Sequence, residues 1–121
     1  MQPNGTVSLS VIGWAEHPTV AAIIIGKFAV HKCRKGDTFG AGKHWDITYV
    51  PTGYSALPTA IYKLKDAVRV ATLFDRCEDG SPPEKNPRMI RLYRYVIRWW
   101  QFDQGTSREN RVRARRRSKP N

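Results

Sequence analysis

Apolar and polar residues alternate along much of the first half of the chain. Within residues 6–14, aliphatic side chains alternate with serines, which predicts a half-buried β-strand. Residues 19–33 are apolar and β-branched, and Gly26 in their middle predicts a bend within a strand or between a pair of strands. The segment 45–50 alternates again, and 54–57 follows a Pro-Thr-Gly turn as a short return strand. Together these segments predict an antiparallel sheet.

In the second half of the chain, the apolar period changes from two residues to 3.6. An apolar stripe predicts an amphipathic helix over residues 59–75, beginning just after Pro58. The residues of this stripe are Ile61, Leu64, Ala67, Val68 and Ala71. A second helical pattern covers residues 88–104, with Asn86 as its N-cap and Pro87 as its first residue. Strands followed by helices predict an α+β fold, in which an antiparallel sheet of three to five strands is packed by one or two C-terminal helices.

The second helical segment separates apolar from basic side chains. One half of its helical projection holds Met89, Ile90, Leu92, Tyr93, Val96, Ile97, Trp99 and Trp100. The other half holds Arg88, Arg91, Arg94, Tyr95, Arg98 and Phe102. A strand would place arginine on both faces, so the pattern favours a helix. We expect the apolar half to pack in the core, and Arg91, Arg94 and Arg98 to form an exposed ridge with Tyr95 and Phe102 beside it.

Basic residues outnumber acidic ones by 21 to 10, which gives a net charge of +11. Residues 105–121 hold seven basic residues and one acidic residue, Glu109. Apolar periodicity stops there, so we predict a single α+β domain over residues 1–104 and a disordered, arginine-rich tail over residues 105–121. The basic residues of the tail are Arg108, Arg111, Arg113, Arg115, Arg116, Arg117 and Lys119. Such an excess of positive charge favours a polyanionic partner.

The soft metal ligands of the chain are scattered. Candidates for a zinc site are His31, Cys33, His44 and Cys77, but their spacing matches no compact zinc module. A buried cysteine and a hydrogen-bonded histidine are the commoner roles for such residues. We therefore expect no metal site and no cofactor.

Catalytic motifs are also missing from the sequence. The carboxylates include no pair whose placement suggests acid–base chemistry, and no serine or threonine has nucleophile-elbow flanks. The glycines of residues 34–44 indicate a hairpin loop rather than a phosphate cradle. The chain shows no secretory signal, and its longest apolar run, residues 20–25, is far shorter than a transmembrane segment. These observations predict a cytoplasmic protein that is not an enzyme.

The order of elements between residues 27 and 76 resembles two kinds of DNA-binding module. A strand, a loop, a tryptophan-bearing strand, a turn, a short strand and an alanine-containing helix follow one another, and Trp45, Ala67 and Ala71 are the matching residues. This order is similar to the three-stranded-sheet-plus-helix domains of plant ethylene-response regulators and to the arm-binding domains of phage integrases. The resemblance implies a sheet that enters the major groove, although the arginine-rich first strand of the plant family has no counterpart in residues 27–32. The small size and basic end also resemble those of small phage or mobile-element proteins.

Two hypotheses of function follow from these features. The first is a non-enzymatic accessory or regulatory protein that binds nucleic acid, DNA or RNA, through the arginine face and the tail. The alternative is an interaction module or inhibitor that docks the same arginine and aromatic face on an acidic protein surface. Membrane-surface binding fits less well, because Trp99 and Trp100 fall on the apolar half of the helix.

Overall fold

Five antiparallel strands form a sheet in the order in which they occur along the chain. In the computed structural model, which describes residues 2–11, 13–58 and 60–99, the strands are Gly5–Ser8 (β1), Thr19–Ile25 (β2), Phe28–Lys32 (β3), Trp45–Tyr49 (β4) and Tyr54–Ser55 (β5). Two helices follow, Leu64–Cys77 (α1) and Pro87–Trp99 (α2), with a 3-10 helix, Pro83–Lys85, between them. The predicted α+β fold is confirmed.

The sheet is curled, so that the end of β1 reaches the turn between β4 and β5. The Ser10 backbone N–H donates to the Gly53 carbonyl at 2.9 Å, and the Ser10 hydroxyl donates to the Thr52 carbonyl at 2.7 Å. Val7 and Leu9 are buried, as the predicted alternation requires, although β1 itself ends before the predicted segment does. The curl gives the sheet face turned away from the helices its own small apolar cluster.

The turn between β2 and β3 lies against the end of α1. Gly26 is the first residue of this two-residue turn and has a φ of +58°, a value that favours glycine. A Cβ at this position would overlap the carboxylate of Asp75 in α1. The Lys27 ammonium adds an ion pair with Glu78 Oε1 at 2.9 Å. The bend predicted at Gly26 is therefore a hairpin turn, and this turn packs against the C-terminal end of α1.

The main core lies between the sheet and the two helices. Its buried side chains include Phe28 and Ile47 from the sheet, Phe74 from α1 and Met89 from α2. The rings of Phe28 and Phe74 stack with their centroids 5.5 Å apart. Burying this apolar surface supplies the main force that holds the helices on the sheet.

The first helix begins at Leu64, and the predicted start near residue 59 is wrong. Ile61 instead makes an antiparallel β-bridge with Trp45, in which each residue donates its backbone N–H to the other's carbonyl, at 2.7 and 2.8 Å. The Ile61 side chain is buried in the main core. The chain therefore runs on alongside β4 after β5, and the apolar position that fitted the helical stripe belongs to this extended segment.

The second helix begins as predicted, with Asn86 as its N-cap and Pro87 as its first residue. Asn86 Oδ1 accepts hydrogen bonds from the backbone N–H groups of Arg88 and Met89 at 3.0 and 3.2 Å. Asn86 Nδ2 donates to the carbonyl of Cys77 at the end of α1, at 2.7 Å. One fully buried amide thus caps α2 and joins it to α1.

Candidate functional site

The arginines predicted to share one face of α2 are all exposed. Arg88, Arg91, Arg94 and Arg98 lie at the surface, and Tyr95 beside them is the most exposed large aromatic residue of the described chain, at 67%. On the other side of the helix, Met89 and Val96 are buried and Ile90, Leu92 and Ile97 are partly buried. The predicted orientation of α2 is confirmed for these residues, but Tyr93, which was predicted to pack in the core with the apolar half, is 37% exposed. We call Arg91, Arg94 and Arg98 the arginine ridge.

The arginine ridge has little to neutralise it. Residues 87–99 contain no acidic residue, and none of the three ridge arginines forms a salt bridge within the part of the chain that the structure describes. Arg88, one turn earlier, lies near enough to Asp79 to help lower the pKa of that carboxyl, after the hydrogen bonds from Ser81 that lower it most. The guanidinium groups of the ridge are therefore available to an anion from solution.

An apolar cleft of about 550 Å³ borders the ridge, and sequence reasoning missed it. It lies between α2 and the strands β4 and β5, because α2 packs mainly on α1 and the 3-10 helix rather than on those strands. Tyr54 on β5 and Tyr93 on α2 line it, together with Met89 and Ile90. The residues that meet here are separated by about 40 positions in sequence, so no local pattern could have indicated the cleft.

Polar groups also line the cleft. Arg94 contributes to its wall, which joins the cleft to the arginine ridge. Glu84, Thr52 and Ser55 line it as well. An apolar cavity with a few polar groups is the usual form of a ligand site, and its volume lies in the range of about 300–1,000 Å³ typical of such sites. The ridge and the cleft together form the candidate site.

On the sheet face turned away from the helices, His31 and Thr48 are buried polar residues of types that also occur together in catalytic sites. His31 Nε2 lies 2.7 Å from the Thr48 hydroxyl, and His31 Nδ1 lies 2.9 Å from the Lys32 carbonyl. Because that carbonyl can only accept, the ring donates to it through Nδ1. Asp46 is the cross-strand neighbour of His31. His31 and Thr48 are only 3% and 2% exposed, so a substrate has no access to the hydroxyl.

Burial raises the pKa of the Asp46 carboxyl, and the nearby His31 opposes part of that rise. A raised folded-state pKa contributes stability that is present below the unfolded-state pKa and is lost as the pH rises through the folded-state pKa. We therefore expect Asp46→Asn to increase the free energy of unfolding at neutral pH, measured by urea denaturation. The difference from the wild type should vanish below about pH 3, where an aspartate of ordinary pKa, about 3.9, is protonated in both states.

The exposed Asp37 provides the control for this pH dependence, because Asp37→Asn removes a carboxylate that is already in water. We expect that variant to match the wild type at both pH values to within about 0.5 kcal/mol. A loss of stability in Asp46→Asn at neutral pH would contradict the prediction, since it would mean that the ionised carboxylate makes favourable contacts that outweigh its burial.

The residues considered as zinc ligands have other contacts. His31 is hydrogen-bonded as described, and the ring of His44 lies against Tyr62 with the centroids 4.3 Å apart. Cys33 and Cys77 are free thiols. Among the described residues, no group of three or more histidine, cysteine or carboxylate side chains is placed to hold a metal ion.

Several predicted features lie outside the described residues. They are the tail with its basic side chains from Arg108 to Lys119, the stacking candidate Phe102, the side chains of Trp99 and Trp100, and the predicted helix end at residue 104. Neither helix of the described chain has the length and apolar character needed to cross a membrane.

The chain matches no protein-family model, and no curated protein or solved structure is significantly similar to it.

Proposed function

We propose that this protein binds nucleic acid through the arginine ridge of α2, assisted by the basic segment 105–121. The observation that carries the proposal is the exposure of Arg91, Arg94 and Arg98 on one side of a helix that has no acidic residue. Arginine suits this role because its planar guanidinium can bind phosphate oxygens in pairs.

The length of the ridge fits a phosphate backbone. Arg91 to Arg98 spans seven helical steps, or about 10 Å at about 1.5 Å per residue. A stacked strand advances about 3.4 Å per nucleotide, so the ridge extends over about three phosphates. The spacings of three and four residues keep the side chains on one face of the helix.

The proposal places the contacts on α2 and not on the sheet. In the DNA-binding modules that the sequence resembles, the sheet enters the major groove. Here Ala29, His31 and Thr48, on the sheet face turned away from the helices, are buried. The basic surface offered by α2 is the alternative supported by exposure and charge.

The direct test is binding of the full chain to labelled oligonucleotides, single-stranded and duplex, followed by fluorescence anisotropy. Because cations are released from each phosphate that is neutralised, log K should fall linearly with log salt concentration between about 50 and 200 mM. Three ridge contacts alone predict a slope of at least about 2 in magnitude, at about 0.7 to 0.9 per contact. Absence of binding at the lowest salt concentration would refute the proposal.

A second candidate is an acidic protein surface, favoured by the 67% exposure of Tyr95 beside the ridge. Arginine and tyrosine are both enriched at the anchor positions of protein interfaces. Nuclease treatment of the freshly purified protein separates the two candidates. If a partner remains bound after nuclease treatment and the sample does not absorb more strongly at 260 nm than at 280 nm, the protein interface is favoured.

A further inference from the structure

We infer that the cleft beside the arginine ridge receives an unstacked base of a single-stranded nucleic acid. The inference rests on the proposed function and adds which form of nucleic acid is bound and where its base lies.

The walls of the cleft suit the flat face of a base. Tyr54 on β5 and Tyr93 on α2 both line it, and they are 57% and 37% exposed. Met89 and Ile90 add apolar surface to the lining. Unpaired bases commonly stack on tyrosine rings in proteins that bind single strands, because every base presents a π-face. The volume of about 550 Å³ is ample for a group as small as one base.

The charge at the edge of the cleft fits the remainder of a nucleotide. Arg94 belongs both to the cleft wall and to the arginine ridge, so a base in the cleft would have its phosphate beside the guanidinium groups of the ridge. Arg91 and Arg98 continue the same positive face along α2 toward the neighbouring phosphates. Glu84 lines the cleft as an acceptor for an exocyclic amino group. A purely apolar ligand would use neither the Arg94 guanidinium nor the Glu84 carboxylate.

A duplex cannot use the cleft in this way. Its bases are stacked on both faces and paired at their edges, so their faces are not available to tyrosine without an energetic cost for unstacking. A single strand offers its bases freely, and the protein needs no strand opening. We therefore expect the protein to bind single strands more tightly than duplexes of the same sequence.

The test uses the full chain and an oligothymidylate of about 12 nucleotides, a length within the range that small single-strand-binding domains cover. One central thymine is replaced by 2-aminopurine, whose fluorescence falls when the base stacks on an aromatic ring. We expect a change in 2-aminopurine fluorescence on binding of the single strand, and binding at least tenfold tighter than that of the corresponding duplex. The same oligonucleotide in ribose form shows whether the 2′-hydroxyl matters.

Tyrosine variants locate the base. Tyr54→Ala and Tyr93→Ala should each weaken single-strand binding by about 5- to 100-fold and abolish the fluorescence change, whereas duplex binding should be unaffected. Tyr54→Phe keeps the ring and should bind as the wild type does. The matched control is Tyr62→Ala, which removes a tyrosine of similar exposure, 40%, that does not line the cleft. The melting temperature of each variant reports whether it is folded.

The outcomes separate the inference from the proposed function. Equal binding of single strands and duplexes, with Tyr54→Ala and Tyr93→Ala both unchanged, would overturn the inference but leave binding by the ridge intact. Absence of binding to any oligonucleotide would overturn both. A 2-aminopurine signal that persists in both folded alanine variants would also overturn the inference, because it would place the base outside the cleft.

Discussion

Replacing Arg91, Arg94 and Arg98 together by glutamate is expected to weaken nucleic-acid binding by about 100-fold or more at low salt. Each substitution removes a charge-assisted contact and puts a carboxylate where a phosphate would lie, so attraction is replaced by repulsion. The salt dependence should become shallower by about 2 to 3 in log K against log salt, at about 0.7 to 0.9 per lost contact. The melting temperature should change little, because all three side chains are exposed and the charges of exposed residues contribute little to folding.

The control for the ridge variant is a triple reversal of the same size on α1. Lys65, Arg69 and Arg76 are also exposed, and replacing them by glutamate changes the net charge by the same amount. If the ridge is the contact surface, the α1 variant should lose much less affinity than the ridge variant. Equal losses would show that the overall charge of the protein, and not the position of the ridge, governs binding.

Removal of residues 105–121 completes this comparison, because it tests the other part of the proposed contact. We expect the shortened chain to remain folded and to bind unrelated sequences more weakly by the same factor, since phosphate contacts carry no sequence information. A shortened chain that binds as tightly as the full one at every salt concentration would leave the arginine ridge as the sole contact surface.

Asn86→Ala is expected to cost about 2–4 kcal/mol of stability, the largest effect that we expect from a single substitution of a polar residue. It removes the cap of α2, which is worth about 0.5–2 kcal/mol, and takes the amide donor from the Cys77 carbonyl, which adds about 1–3 kcal/mol if the carbonyl is left unpaired. For a domain of this size, the melting temperature should fall by roughly 10–20 °C. Thermal and urea denaturation measure the effect.

Asn86→Ser divides the effect of Asn86→Ala into its two parts. A serine hydroxyl can still accept from the N–H groups of Arg88 and Met89, but it is too short to replace the amide that reaches Cys77. We therefore expect a loss of stability between those of the wild type and Asn86→Ala. If both variants were as stable as the wild type, the contacts of the buried amide would be irrelevant to the position of α2 and hence to that of the arginine ridge.

The sequence by itself determined the features that depend on local chemistry. The alternation in β1 and β4, the turn glycine at Gly26 and the cap at Asn86 were predicted because each depends on residues close together in the chain. The exposed arginine face of α2 was predicted for the same reason, since a helix places residues three and four apart on one side.

The tertiary structure decided what depends on distant partners. Ile61 fitted a helical stripe, but its backbone is paired with that of Trp45, 16 residues earlier. Because the hydrogen bonds of that bridge hold residue 61 in an extended conformation, the helix begins only at Leu64. Thr48 is buried beside His31, its hydrogen-bond partner 17 residues earlier in the chain, on the sheet face turned away from the helices. The cleft brings together Tyr54 on β5 and Tyr93 on α2, and it borders a helix that packs mainly on α1 and the 3-10 helix. Periodicity specifies which face of an element is apolar, whereas the distance between two faces is set by how the whole chain packs.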